Sequence, residues 1–487
     1  MFISENFQLP AVPGLGVIIY NLFFHPLARF PGPVLFAATP IPYVKWQVTG
    51  RLPFLYKQLH DAYGDVVRIH PNELSFNNPA AWKDIYALRP GRPIIPKDPE
   101  YTSPSSEGVY NVVTATNVVD HMRYRRALNL AFSERALREQ EPIIMKYVDM
   151  LMVRLRQNAG LGPQNIVAWF NFMSFDIVGD LSFADSLQGL EKSEYHPWLI
   201  DMFNAFKFAL YTRAMKQFPH VYCWLQYLMP KSLVEQRQKH ERFTHEKVNH
   251  RLSMVTERRD FMSHLLPFDE KTTPMSLPEI RNTYGTLMIA GSETTATTLS
   301  FTLFYLCKNQ PVLAGLVDEV RSTFTREKDI TFASTAKLRY QGAVLNESMR
   351  IKPAAPTSQP RLIPGKGEMI AGRWVPGGCR VAVPPLCMNH SPQFFWEPLS
   401  FRPERWLDNP QFASDNKAAF QPFSIGPRSC IGRTLALNEL KVVLARLLWN
   451  FDISLAVKSC DWADKLKVYG LWEMKPFYIY LDPVKRG

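Results

Sequence analysis

Hydrophobic and polar positions in this chain follow a helical period over much of its length. From about Asn117 to Arg258 the pattern is mostly that of amphipathic helices. Within it, "SERALREQEPIIMKYVDMLMVRLRQ" starts at Ser133, a side chain suited to accept a free N–H of the first turn. Glu134 follows where the helix dipole favours negative charge. No reciprocal capping box is expected, because Ala136 stands where Glu or Gln would have to reach back. Pro142 marks a candidate break, and the run beyond it is amphipathic. A second long helix is expected from Ser276 to Leu306, with Ser276 as its N-cap and Pro278 in its first turn. From Arg361 to Val383 short β-type runs alternate with Gly and Pro, which predicts a small sheet of hairpins. A last helix is expected from Arg433 to Trp449. The fold class is therefore mainly α with a minor β part.

With 487 residues, 46% of them apolar or aromatic, the chain can bury a large core. It has no long linker, low-complexity block or internal repeat, so one domain over residues 29–487 is expected. Before it, residues 1–28 form an anchor-like segment. Their apolar stretch, Gly14 to Phe24, is shorter than the roughly 20 residues a spanning helix needs. A membrane-surface anchor and a buried N-terminal arm both fit it. The formal charge of +12 is spread along the chain and no nucleic-acid motif accompanies it, so nucleic acid is not an expected partner. A basic patch that docks an acidic protein partner or faces an anionic membrane explains the balance better, with Arg123, Arg126, Arg433 and Lys441 as its expected members. The six cysteines include no CxxC pair, and no Cys/His cluster has zinc spacing. Five read as ordinary buried thiols in a reducing compartment. The sixth, Cys430, is open to four readings: buried filler, half of a disulfide, nucleophile or metal ligand.

Four motifs carry the candidate chemistry. "AGSETT", Ala290 to Thr295, places Ser, Glu and Thr in the middle of the long helix, between apolar flanks. Alone it reads equally well as a solvated face. Inside an apolar helix its groups need partners, and a Thr hydroxyl bonding back to the preceding turn is expected to widen the helix there. "NESMR" puts Glu347 and Arg350 three apart on one helical face, and Arg405 of "FRPERW" can reach the same carboxylate. Such a triad is a structural clamp and not a catalytic group. The fourth motif is "FSIGPRSCIG", Phe423 to Gly432, which surrounds Cys430.

In that order, "AGSETT", ExxR, FxPERW and FxxGxRxCxG resemble the motifs of the cytochrome P450 family of haem-thiolate monooxygenases, and the likeness runs from "HPLARFPGP" onward. The resemblance implies the cytochrome P450 fold, haem b as cofactor and Cys430 as the axial ligand of its iron. Bottom-up, the surroundings suit a thiolate: a helix start at Arg433, backbone N–H groups near the sulfur, and Gly426 and Gly432 for tight turns and close approach. Phe423 would shield the sulfur. Arg428 would pair with a haem propionate, as would His121, Arg125 and Arg361. His121 departs from the family pattern, which usually has Trp there, but still offers a ring N–H. The acid–alcohol pair Glu293 and Thr294 would handle protons during oxygen activation.

Electrons would come singly from a separate NADPH–cytochrome P450 reductase, since the chain shows no flavin or nicotinamide domain. The resemblance is to fungal microsomal members that tailor secondary metabolites such as terpenoids, polyketides and alkaloids. That implies a small lipophilic substrate, a membrane surface as partner, and the cytosolic face of the endoplasmic reticulum. The alternatives are a xenobiotic or aromatic-acid hydroxylase and a haem-thiolate isomerase or dehydratase needing no reductase. The Glu293–Thr294 pair speaks against the last. The expected pocket segments, Pro96–Val113, Phe203–Tyr211, Arg281–Ala290 and Ala354–Gln359, suggest an apolar ligand.

Overall fold

The long helix, Leu277–Lys308, is the axis of the molecule. Its hydroxyl-bearing residues are mostly buried, and five of them dispose of their proton locally. Ser292, Thr294, Thr298, Ser300 and Thr302 all donate to the carbonyl four residues earlier, at 2.7–2.8 Å. This is how so polar a helix can lie inside a core. The expected widening does not occur. The helix stays α-helical through the motif, because a back-bonding hydroxyl adds a second donor to a carbonyl without displacing the backbone N–H. At its start the Ser276 N–H donates to Glu279 Oε2 at 2.8 Å, closing a capping box.

The computed structural model describes residues 14–218, 222, 224, 227, 229–266 and 273–485. The first thirteen residues of the expected anchor segment and Cys223 lie outside the described residues, as do the side chains of 203, 205 and 206 within one expected pocket segment. Helix Ile166–Phe183 lies against the long helix and is buried along almost its whole length. It is apolar and long enough to cross a membrane, but its burial makes it a core helix. The two helices approach closely at Gly291, where an added Cβ would stand 2.9 Å from Val178 Cγ2. Helix Glu134–Asn158 also packs on Ile166–Phe183. Its Ser133 cap accepts from the Ala136 N–H at 3.3 Å. It runs unbroken through Pro142, which corrects the expected break: beyond the first turns, packing of its apolar face outweighs one lost backbone hydrogen bond. Helix Arg433–Asn450 completes this core, buried over its C-terminal half.

The β part is small. Strands Val66–His70, Glu73–Phe76, Arg380–Ala382 and Arg361–Leu362 form one four-stranded sheet in that order. Gly367–Ile370 and Arg373–Pro376 form a hairpin beside it. This is the region whose Gly/Pro punctuation predicted hairpins. The sheet and the hairpin share a second apolar core with helix Pro79–Tyr86, and the cysteine loop rests on that core. At the N-terminus, Gly14–Phe24 is helical and leaves Leu15, Phe23 and Phe24 more than two-thirds exposed. It is not a buried arm. Cys307, Cys379 and Cys387 are buried, but Cys460 is exposed, contrary to expectation. It lies at the end of a short surface turn, Val457–Ser459.

Candidate active site

The segment Phe423–Gly432 closes on itself before the helix begins. The Cys430 N–H donates to the Phe423 carbonyl at 2.9 Å, and Ser429 N–H to Gly426 carbonyl at 3.0 Å. Gly426 has φ +77°, and a Cβ there would come within 2.1 Å of the Tyr86 carbonyl oxygen. Only glycine lets the loop sit on helix Pro79–Tyr86. Cys430 is crowded by protein atoms but not covered: it is exposed where it lines a cavity of about 310 Å³. Phe423, Arg428 and Gly432 line the same cavity. So do Leu287, Ala290, Gly291, Thr294 and Thr298 of the long helix. The structure thus brings the cysteine loop and the "AGSETT" helix, more than a hundred residues apart in sequence, to one space, with Met349 of "NESMR" also on its lining.

Burial pushes the Cys430 thiol up, while the Gly432 N–H and the Arg125 and Arg433 charges pull it down. The local helix start and glycines assist ionisation without outweighing burial. A cationic metal at the sulfur would supply the remainder.

Positive charge crowds one edge of the cavity. Arg428 donates to the Ala115 carbonyl at 2.7 Å, and its Nη2 is buried without a partner. Arg125 reaches the Ser429 carbonyl at 2.6 Å. Burial, with Arg428 and Arg125 next, holds His121 down at about 3. Burial and then Arg361 bring Arg428 down to about 10. Arg361 itself does not line the cavity. It is buried behind it, over the Tyr86 ring and against the Gln359 and Pro360 carbonyls. Sequence reasoning overlooked Lys97, which lines this edge and donates to the Val113 carbonyl at 2.6 Å. Burial, with Arg361 and Arg428, drives it well below its ordinary value. Arg125, Arg428 and Lys97 at this edge, with the neutral His121 imidazole beside them and Arg361 behind, are what an anionic ligand requires.

The acid–alcohol pair divides. Thr294 faces the cavity and donates to the Ala290 carbonyl at 2.7 Å, so its lone pairs are what it presents inward. Glu293 is buried and does not line the cavity; its Oε2 has no partner, and burial raises it to about 8. A carboxyl that does line the cavity is Glu439, which accepts from Thr295 Oγ1 at 3.3 Å and is likewise raised to about 8 by burial. An acid at a core-facing position of an apolar helix, nine residues after Cys430, was a readable signal for it.

Away from the cavity, Glu347, Arg350 and Arg405 meet and are fully buried. Arg350 holds Glu347 in a two-pronged contact at 2.8 and 2.9 Å, and Arg405 Nε reaches it at 3.0 Å. Trp406 Nε1 and the Arg402 N–H add donors at 3.0 and 2.9 Å, and Asp415 takes the other arm of Arg405. The surface patch is smaller than expected. Arg126 and Arg433 are exposed and Lys441 is half-buried, but Arg123 is committed to Glu279 at 2.8 Å and to Asp120.

A family model described as Cytochrome P450 matches residues 37–478. The chain belongs to the cytochrome P450 family. Among its relatives, the cytochrome P450 monooxygenase astJ of Aspergillus oryzae is 44% identical over 480 residues, 97% of this chain and 95% of that protein. The trichothecene C-15 hydroxylase of Fusarium sporotrichioides is 40% identical over 96% of this chain and 95% of its own length. The averantin hydroxylase of Dothistroma septosporum is 39% identical, with coverages of 96% and 89%. Membership makes the protein a haem-thiolate oxidoreductase of the monooxygenase class. The cytochrome P450 cavity described above fits haem on its own chemistry: a thiol opens into it, and an uncompensated cationic edge with an orphaned guanidinium nitrogen suits two carboxylates.

Proposed function

We propose that this cytochrome P450 hydroxylates a small lipophilic intermediate of fungal secondary metabolism, with Cys430 as the residue that would ligate the iron of haem b. The observation that carries the reading is the single cavity onto which Cys430, Thr294 and the cationic edge all open. Relatives named as hydroxylases of averantin and of trichothecenes support the tailoring role. Haem, when bound, supplies the oxygen-activating chemistry. The chain's own residues bind, orient and move protons.

Arg428, Arg125, His121 and Lys97 hold the propionates, and Arg361 stiffens that edge from behind. Arg125 also ties helix Val118–Asn129 to the cysteine loop through the Ser429 carbonyl. The Gly432 N–H and the Phe423 ring keep the sulfur hydrogen-bonded and dry. Thr294, its proton already given to Ala290, accepts a hydrogen bond from a water or reacting group in the cavity. Glu293 and Glu439, protonated at neutral pH by burial, are the proton reserve behind it.

Electrons arrive from a separate NADPH–cytochrome P450 reductase. Arg126 and Arg433 attract its acidic face. The exposed apolar residues of Gly14–Phe24, together with Val34 and Leu35, rest on the cytosolic face of the endoplasmic reticulum membrane. The test is the carbon monoxide spectrum of the reduced protein. Wild type is expected to show the red-shifted Soret band of thiolate ligation and Cys430→Ser to lose it. A Ser variant that keeps the band sinks the assignment.

A further inference from the structure

A second cavity, also about 310 Å³, lies among segment 100–114, helices Pro197–Lys216 and Lys231–Ser253, and the N-terminal half of the long helix. It shares a wall with the first. Val112, Leu287 and Ala290 face the first cavity; Asn111, Thr286 and Ile289 face the second. Asn111 pins this wall, donating to Asn282 Oδ1 at 3.0 Å and to Thr286 Oγ1 at 2.8 Å. Thr286 and Ala290 are four residues apart, about 6 Å along the helix axis, so a single small molecule is long enough to reach from one cavity into the other.

Most of the surface lining both spaces is apolar, but more of the residues around the second carry a hydroxyl, amide or charged group. Its charges are paired off with one exception. Arg237 holds Glu241 at 3.0 Å, and Arg281 and His245 share Glu107 at 3.2 and 3.3 Å. Glu100 reaches Arg380 at 3.4 Å. Arg213 makes no side-chain hydrogen bond or close ion pair among the described residues, although its charge favours the buried Glu73 carboxylate; its guanidinium lies over the Tyr101 ring, 3.9 Å from the centroid. Beside it, Thr212 Oγ1, Ser105 Oγ and His240 Nδ1 are buried without partners. A stacked guanidinium keeps its N–H edge free, and that edge matches the two oxygens of a carboxylate.

We infer that the second cavity receives an anionic oxygen of the substrate, a carboxylate or an acidic enol or phenol, and that Arg213 anchors it. Thr212 and Ser105 supply further donors. The inference rests on the monooxygenase reading, because the molecule held here is the one oxidised in the adjoining cavity. Anchoring one end at a fixed point decides which carbon faces Thr294, so Arg213 is a specificity-determining residue.

The test uses the full-length haem-loaded protein and two matched probe pairs: decanoic acid with decan-1-ol, and 2-naphthoic acid with 2-naphthylmethanol. Binding is read by calorimetry and by the substrate-induced spectral shift. Wild type is expected to bind the acid of at least one pair tenfold or more tighter than the alcohol. Arg213→Leu should weaken that acid about 10- to 100-fold, the range for a charged hydrogen bond, and leave its alcohol within about twofold. Arg213→Lys should fall between.

Equal affinity for acid and alcohol in both pairs overturns the inference. So does a loss in Arg213→Leu that is the same for both partners of a pair. Should Arg213→Leu fail to fold, Arg213→Lys and the wild-type comparison decide alone. A haem-replete Arg213→Leu protein that turns over NADPH but keeps its acid preference overturns the anchor and spares the monooxygenase reading. A wild type that takes up no haem overturns that reading, and calorimetry on the same protein then decides Arg213.

Discussion

Glu347→Ala tests the buried clamp. Its carboxylate accepts five hydrogen bonds, from Arg350 twice and once each from Arg405, Trp406 and the Arg402 backbone. Removing it leaves Arg405 with Asp415, but leaves Arg350 with only the Asn389, Pro398 and Ser400 carbonyls around a fully buried charge. Stranding a buried charge in this way costs roughly 3–5 kcal/mol. Against a total stability on the order of 5–15 kcal/mol, that is a large fraction. Unfolding entropy scales at about 2 cal/mol/K per residue, so for 487 residues it is about 1 kcal/mol/K. The melting temperature should therefore fall by about 3–5 °C, read by circular dichroism, and the yield of haem-loaded protein should fall with it.

The double variant Glu347→Met with Arg350→Met should lose less than the sum of the two single changes, because no unpaired charge remains. A Glu347→Ala protein with an unchanged melting temperature and full haem would refute the argument, as would strict additivity in the double variant.

Thr294→Ala should bind haem and substrate normally but release hydrogen peroxide in place of product, with the product-to-NADPH ratio falling by about 10²-fold or more; a fully coupled variant removes the role assigned to the hydroxyl. Glu293 binds its proton more tightly folded, at about 8, than at its ordinary 4.5, so its favourable contribution is complete below about pH 4.5 and lost as pH rises to 8. Denaturant titrations should accordingly show Glu293→Gln to have a flatter stability profile between pH 5 and 8 than wild type, and identical slopes would show the carboxyl to be solvated. Turnover supported by the reductase should fall as salt rises, since exposed charges act over roughly 8–10 Å at physiological ionic strength. Peroxide-driven turnover should not, and Arg126→Glu with Arg433→Glu should weaken only the former; equal responses in both assays would exclude the patch.

Features set by neighbours in sequence were legible before folding. The Cys430 loop depends on glycine at Gly426, where positive φ and the Tyr86 carbonyl exclude a side chain, and on a helix start at Arg433. The ExxR pair is an i, i+3 contact that any helix makes, and the caps at Ser133 and Ser276 are local hydrogen bonds. In these cases a few residues carry both the geometry and its energy. Directions and long-range partners were not legible. Glu293 and Thr294 are adjacent, yet successive residues on a helix point about 100° apart, and packing against Ile166–Phe183 determined that only Thr294 faces the cavity.

Lys97 joins Arg428 across more than three hundred residues, and Arg123 is taken from the surface by Glu279. Neither sequence segment carries a periodicity that announces such a meeting. The second cavity and the uncommitted guanidinium of Arg213 exist only where four separate segments close on one another. Sequence by itself determined which elements form, and its family resemblance singled out Cys430 as the proposed metal ligand. Tertiary packing decided which charges find partners and which are left to bind something else, because pairing depends on distances that only the folded chain brings about.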